Sequence, residues 1–228
     1  MRDWIERNRL RVDEASGGRI GYVYVPNTAV PGQTELVRQF NHQHARDGLI
    51  IDERWNGGGQ LPDRFVELMN RETVGHIYFR HGAIARQPTI THRGHKAMLI
   101  NGQAGSGGDA FPWFFREMDA GVLVGERTWG GLIGPASGHQ LIDGGFYTAP
   151  PGRLYRNDGQ WFAEGHGVEP DIPVTDHPGE LARGNDPQLD AAVAELMRRI
   201  REDPPALPAP PADERRIVTD SDGGNGDR

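Results

Sequence analysis

Four short apolar runs constrain this chain more than any other feature: Ile20–Val25, Leu49–Asp52, Ala97–Ile100 and Val122–Val124. Each is too short for a buried helix and rich in residues that suit a pleated, covered surface. The Leu49–Asp52 run also sits between two stretches of helical spacing. That pattern predicts buried, mostly parallel strands of an α/β sheet flanked by helices. The spacing predicts a helix between Gly32 and Gly48, with Leu36, Val37 and Phe40 as a partial stripe. It predicts another from Pro62 (Leu61, Phe65, Leu68) and a third from about Asp109 (Phe111, Phe114, Phe115, Met118), with Pro112 in its first turn. Asp186-Pro187 is a helix start, with Asp186 as cap, followed by an apolar face of Leu189, Val193, Leu196 and Ile200.

Elsewhere the pattern is weaker. Residues 71–95 are turn-rich, with one strand signal at His76–Phe79. Gln140–Ile142, Gly145–Tyr147 and Leu154–Tyr155 suggest hairpin-like excursions around a site. Residues 1–18 read as a charged lead-in or linker, 19–202 as one catalytic-size domain, and 203–228 as a disordered tail. The tail carries Pro204, Pro205, Pro208, Pro210 and Pro211 and little apolar surface to offset its ordering entropy. Ile20–Val25 is expected inside the sheet, and helix 187–200 across one of its faces.

Composition excludes several function classes. The 32 glycines and 17 prolines fit many tight turns better than a helix bundle. The net charge of −7 is spread along the chain without a basic stripe, which argues against a nucleic-acid partner. With no cysteine, thiol catalysis, disulfides and cysteine-rich zinc sites are out. No run approaches the roughly 20 apolar residues that span a bilayer, and the first residues have no signal-peptide core, so a cytoplasmic protein with no membrane partner is expected.

The strongest local signal is the segment Leu99-Ile100-Asn101 to Gly108 before the apolar helix. A serine between glycines at a strand-to-helix turn is open to a substrate carbonyl, and the helix start supplies free N–H groups for a developing oxyanion. The elbow G-x-S-x-G fails by one residue, because position 104 is Ala. A phosphate cradle lacks its lysine and would meet Asp109. On spacing alone Ser106 stands as a nucleophile, a structural turn residue or a phosphate contact. Asp109 reads as a first-turn cap or dipole partner.

Four segments in order add a resemblance. Asn101-Gly102-Gln103-Ala104-Gly105-Ser106-Gly107-Gly108-Asp109-Ala110-Phe111 resembles the nucleophile segment of the tricorn core and C-terminal-processing serine peptidases. Leu49–Gly59 resembles the strand and glycine loop that precede it. Val124–Gly131 resembles the following G-x-x-T-x-G-G loop, and Glu164–Ile172 the segment with the family's acid. The resemblance implies a ClpP/crotonase-like α/β fold, with glycine-rich loops around a site that needs no cofactor or metal. It implies Ser106 as nucleophile, the Gly107 N–H and an N–H of the Gly57–Gly59 loop, best Gly59, as oxyanion hole, and Glu164 as supporting acid. It also implies peptide substrates and a homo-oligomer.

A base is missing from this picture. The tricorn pattern carries its histidine in an upstream subdomain, beyond an interposed peptide-binding module, and nothing here matches it. C-terminal-processing relatives use a lysine where this chain has Gly131, and the only lysine is Lys96. His166 shares a face with Glu164 if the segment is extended. His92 and His95 lack a third metal ligand, and His42 and His44 share no helix face. The expectation is therefore a serine endopeptidase forming part of a longer tricorn-like protease, whose partner is the upstream histidine-bearing subdomain. The alternatives are a catalytically incomplete peptide-binding or scaffolding domain and, on the same fold, an acyl-CoA enzyme.

Overall fold

A computed structural model describes residues 1–60, 62–134, 137–175 and 177–212. Its centre is a parallel sheet of β1 (Ile20–Tyr24), β2 (Gly48–Asp52), β5 (His95–Ile100), β6 (Val122–Gly125) and β9 (Ile172–Pro173), in the order β1-β2-β5-β6-β9. All four pairings are parallel. The α/β expectation holds, and the strands alternate their side chains as the pleat requires. Ile20, Tyr22, Tyr24, Ile50, Ala97, Leu99, Val122 and Val124 face one core, while Val23, Leu49, Ile51, Met98, Ile100 and Leu123 face the other.

Helices α2 (Val30–Gln43), α3 (Pro62–Met69) and α4 (Gly107–Glu117) follow β1, β2 and β5, and their buried side chains close the second core. Phe65 of α3 meets Phe111 of α4 edge-on, with ring centres 5.5 Å apart. On the opposite face α6 (Pro187–Glu202) lies across the strands as expected, and Asp186 accepts the Leu189 N–H at 3.0 Å. Leu196 is fully buried in this layer. Leu196→Ala is therefore expected to lower the unfolding free energy by roughly 2–5 kcal/mol in a denaturant titration. A loss under about 0.5 kcal/mol would show that the helix is not docked this way.

Three expectations need correction. Residues 1–18 are no linker: Arg2–Ser16 forms helix α1, closed by Gly17 at φ 59°, with Val12 wholly buried beside α6. Its apolar side is only Trp4, Ile5 and Val12 among charges, too sparse to stand out in the sequence. Ile20–Val25 is not internal, because among the described residues β1 pairs only with β2. The Gln39 side chain satisfies part of this edge, accepting the Tyr24 N–H at 2.9 Å and donating to its carbonyl at 3.1 Å. Helix α4 starts at Gly107, so Pro112 falls in its second turn. The strand signal at His76–Phe79 holds as β3 (Gly75–Tyr78), which pairs antiparallel with β4 (Ile84–Gln87), a strand with no sequence signal.

A second hairpin pairs β7 (Ser137–Gln140) with β8 (Phe146–Ala149), and Tyr155 bridges to Trp161. The short helix α5 (Pro178–Ala182) precedes α6. Residues 203–212 run on without helix or strand, and the rest of the expected disordered tail lies outside the described residues. Among the described residues no helix is long and apolar enough to cross a membrane.

Candidate active site

Three adjacent strands, β2, β5 and β6, send their C-terminal loops to the same edge of the sheet, where open α/β sheets place their ligand crevices. The loop after β5 carries Ser106, which caps α4 at φ 55° and ψ −116°. That is the left-handed side of the map, sparsely used by residues with a Cβ and concentrated at functional sites. The motif G-x-S-x-G is absent, yet the turn is as sharp as an elbow.

The turn is tied down through its backbone. The Ser106 N–H donates to the Gly131 carbonyl at 2.9 Å and to Asp109 Oδ2 at 2.9 Å. Asp109 does more than the cap read from the sequence. Wholly buried, it also accepts the Thr128 hydroxyl at 2.6 Å and the Gly130 N–H at 2.8 Å on Oδ1. Thr128 in turn accepts the Val168 N–H at 2.8 Å. One carboxylate thus clamps the serine turn to the loop after β6, and the threonine of G-x-x-T-x-G-G was the available signal. Burial pushes the Asp109 carboxyl above its usual range, and its three hydrogen bonds work against that shift.

The loop after β2 reaches the serine from the other side. A Cβ on Gly107 would lie 2.0 Å from Thr28 Oγ1 and 2.4 Å from the Gly59 carbonyl oxygen. A Cβ on Gly58 would lie 2.7 Å from Ser106 Cβ. Only glycines allow these backbones to meet. Neither the Gly107 nor the Gly59 N–H donates to any described residue. Both residues line a cavity of about 650 Å³ with Ser106, Ala110, Phe114, Leu132 and Leu154. Ser106, Gly107 and Gly59, expected together, are together.

Glu164 is less central. It is exposed, and its Oε2 accepts the Ile133 N–H at 2.8 Å, on the same loop whose Gly131 carbonyl holds Ser106. It does not line the cavity, and neither does any described histidine or lysine. His166 is exposed, with Nδ1 against the Glu164 carbonyl at 3.2 Å. Lys96 is the second residue of β5, at the far end of the strand from Ser106. His92 Nδ1 faces the His44 carbonyl at 3.1 Å and His95 Nε2 the Asp203 carbonyl at 2.7 Å, and no group of three metal-ligating side chains occurs among the described residues.

Residues 19–174 match the model of peptidase family S41. The chain belongs to that family. Among S41-type relatives it is 36 % identical over 211 residues to the tricorn protease of Thermoplasma acidophilum, covering 92 % of this chain and 20 % of that protein. A putative tricorn-like protease C-terminal subunit of Sulfurisphaera tokodaii is 35 % identical, over 88 % of this chain and 24 % of its own length. The crystal structure of the tricorn protease superposes with a TM-score of 0.81 at 36 % identity, again over 88 % of this chain and 20 % of that one. The chain thus spans about a fifth to a quarter of the length of these relatives. A putative peptidase from Parabacteroides merdae, 24 % identical with a TM-score of 0.60 over 80 % of this chain and 62 % of that one, shares the fold.

Proposed function

We propose that this S41 domain is the nucleophile-bearing part of a tricorn-like serine endopeptidase acting on peptides in the cytoplasm as a homo-oligomer. The observation that carries the reading is Ser106 in a strained helix-capping turn, lining one cavity with Gly107 and Gly59, whose N–H groups donate to no described residue. In the proposed reaction Ser106 Oγ attacks the scissile carbonyl carbon and its proton passes to a base. The carbonyl oxygen becomes an oxyanion facing the Gly107 and Gly59 N–H groups. The C–N bond then breaks, the amine leaves with a proton, and water hydrolyses the ester on Ser106. Glu164 is the supporting acid, bonded to the loop after β6 that also fixes the serine turn. The base is a histidine from sequence beyond these 228 residues, in the upstream subdomain that the tricorn resemblance implies.

A fluorophosphonate tests the nucleophile without a peptide. Attack by Ser106 Oγ forms an O–P bond, expels fluoride and releases the hydroxyl proton to solvent or base. Mass-mapped digests are expected to carry the adduct on the Ser106 peptide alone, forming slowly in the isolated chain, with none in Ser106→Ala. Ser106 left unmodified at saturating reagent would favour a peptide-binding domain without catalysis.

A further inference from the structure

We propose that Glu53 is a positioning residue for the Ser106 centre, acting through Asn56 to hold the Gly58–Gly59 turn that presents the Gly59 N–H. The proposal rests on the peptidase reading above. Glu53 follows β2 and is fully buried, and its N–H continues the sheet ladder to the Leu99 carbonyl at 3.1 Å. Its backbone is therefore as fixed as the sheet. Its Oε2 accepts Asn56 Nδ2 at 3.0 Å, and Asn56 Oδ1 accepts the Gly58 N–H at 2.9 Å. The Asn56 amide is thus engaged at both ends, which fixes its orientation.

Asn56 also joins the two glycine loops. Its carbonyl accepts the Gly105 N–H at 3.1 Å, one residue before the serine, and its N–H returns to the Glu53 carbonyl at 3.0 Å. Gly58, the residue it restrains, stands at φ 90° against Ser106. A shift of this turn moves Gly59 relative to Gly107, and an oxyanion site depends on the separation of its donors.

The chemistry of Glu53 suits this task. Glu53 Oε1 makes no hydrogen bond among the described residues, so the carboxyl spends a buried position on the Asn56 contact. Burial pushes its pKa well above the usual carboxylate range; the Asn56 hydrogen bond works against that shift, while the nearby Asp109 and Asp52 add to it.

The test uses the p-nitrophenyl ester of an acetylated apolar amino acid, whose leaving group needs no protonation, together with amide exchange at Gly58 by NMR. Glu53→Ala and Asn56→Asp are expected to lower kcat about 10-fold or more with KM within about 2-fold. Gly58 exchange is expected to accelerate in Glu53→Ala. Glu53→Gln, neutral and still an acceptor, is expected to keep both readouts near wild type. Asn56→Asp carries the kinetic test if Glu53→Ala loses its melting transition. Wild-type kcat and Gly58 exchange in Glu53→Ala, or equal losses in Glu53→Gln and Glu53→Ala, would overturn the proposal. Ester turnover that survives Ser106→Ala would instead remove the peptidase reading, and Gly58 exchange alone then decides the strut.

Discussion

Arg54→Met is expected to cost roughly 3–5 kcal/mol of stability, measured as unfolding free energy in denaturant. Arg54 is completely buried and forks between two carboxylates. Its Nε and Nη2 donate to Asp52 at 2.9 and 2.7 Å, and its Nη1 and Nη2 to Asp186 at 2.9 and 2.8 Å. Nη1 also reaches Gln188 Oε1 at 3.2 Å. Asp52 ends β2 and Asp186 caps α6, so one guanidinium joins the sheet to the helix across its face. The Tyr22 hydroxyl adds a donor to Asp52 at 2.8 Å. Methionine would replace the volume but leave two buried carboxylates facing one another. The burial penalty belongs mainly to those unpaired charges, so Arg54→Met combined with Asp52→Asn and Asp186→Asn is expected to be less damaging than Arg54→Met alone. Equal or greater loss in the triple variant would show that the ion cluster itself contributes the stability.

This cluster marks where the sequence stops being legible. Asp186 reads as a helix cap because capping is local, and the cap is present. Nothing local says that a guanidinium 132 positions earlier in the chain shares that carboxylate. The same distinction runs through the site. Ser106 and its glycines are readable because a strand, a glycine turn and an apolar helix adjoin in sequence. The roles of Asp109 and Asn56 are not, because each depends on which loop the sheet order brings alongside. The sheet order also hid the edge position of β1, whose run is as apolar as an internal strand because α1 and α2 cover it. Helix α1 escaped because three apolar positions among charges make a face only once α6 lies beside them. Gly107 and Gly108 extend α4 beyond its apolar stripe, which starts at Phe111. They are glycine because backbone crowds them, not because they break a helix.

The largest expected effect is on turnover. In the isolated chain Ser106 and the proposed oxyanion donors line a cavity that no histidine or lysine among the described residues reaches. Backbone donors alone leave catalysis above the water rate, whereas a positioned base adds orders of magnitude. Joining the chain to the histidine-bearing subdomain that the tricorn resemblance implies is expected to raise hydrolysis of short peptides by about three orders of magnitude or more. Glu164→Gln is expected to remove much of that gain. Full activity from the 228-residue chain alone would contradict the external base and bring His166 forward. The most direct measurement is cleavage of a quenched peptide library by the joined protein with and without Ser106→Ala. Loss of the entire increase in Ser106→Ala is the predicted result, and activity that survives the substitution would contradict the assignment of Ser106 as nucleophile.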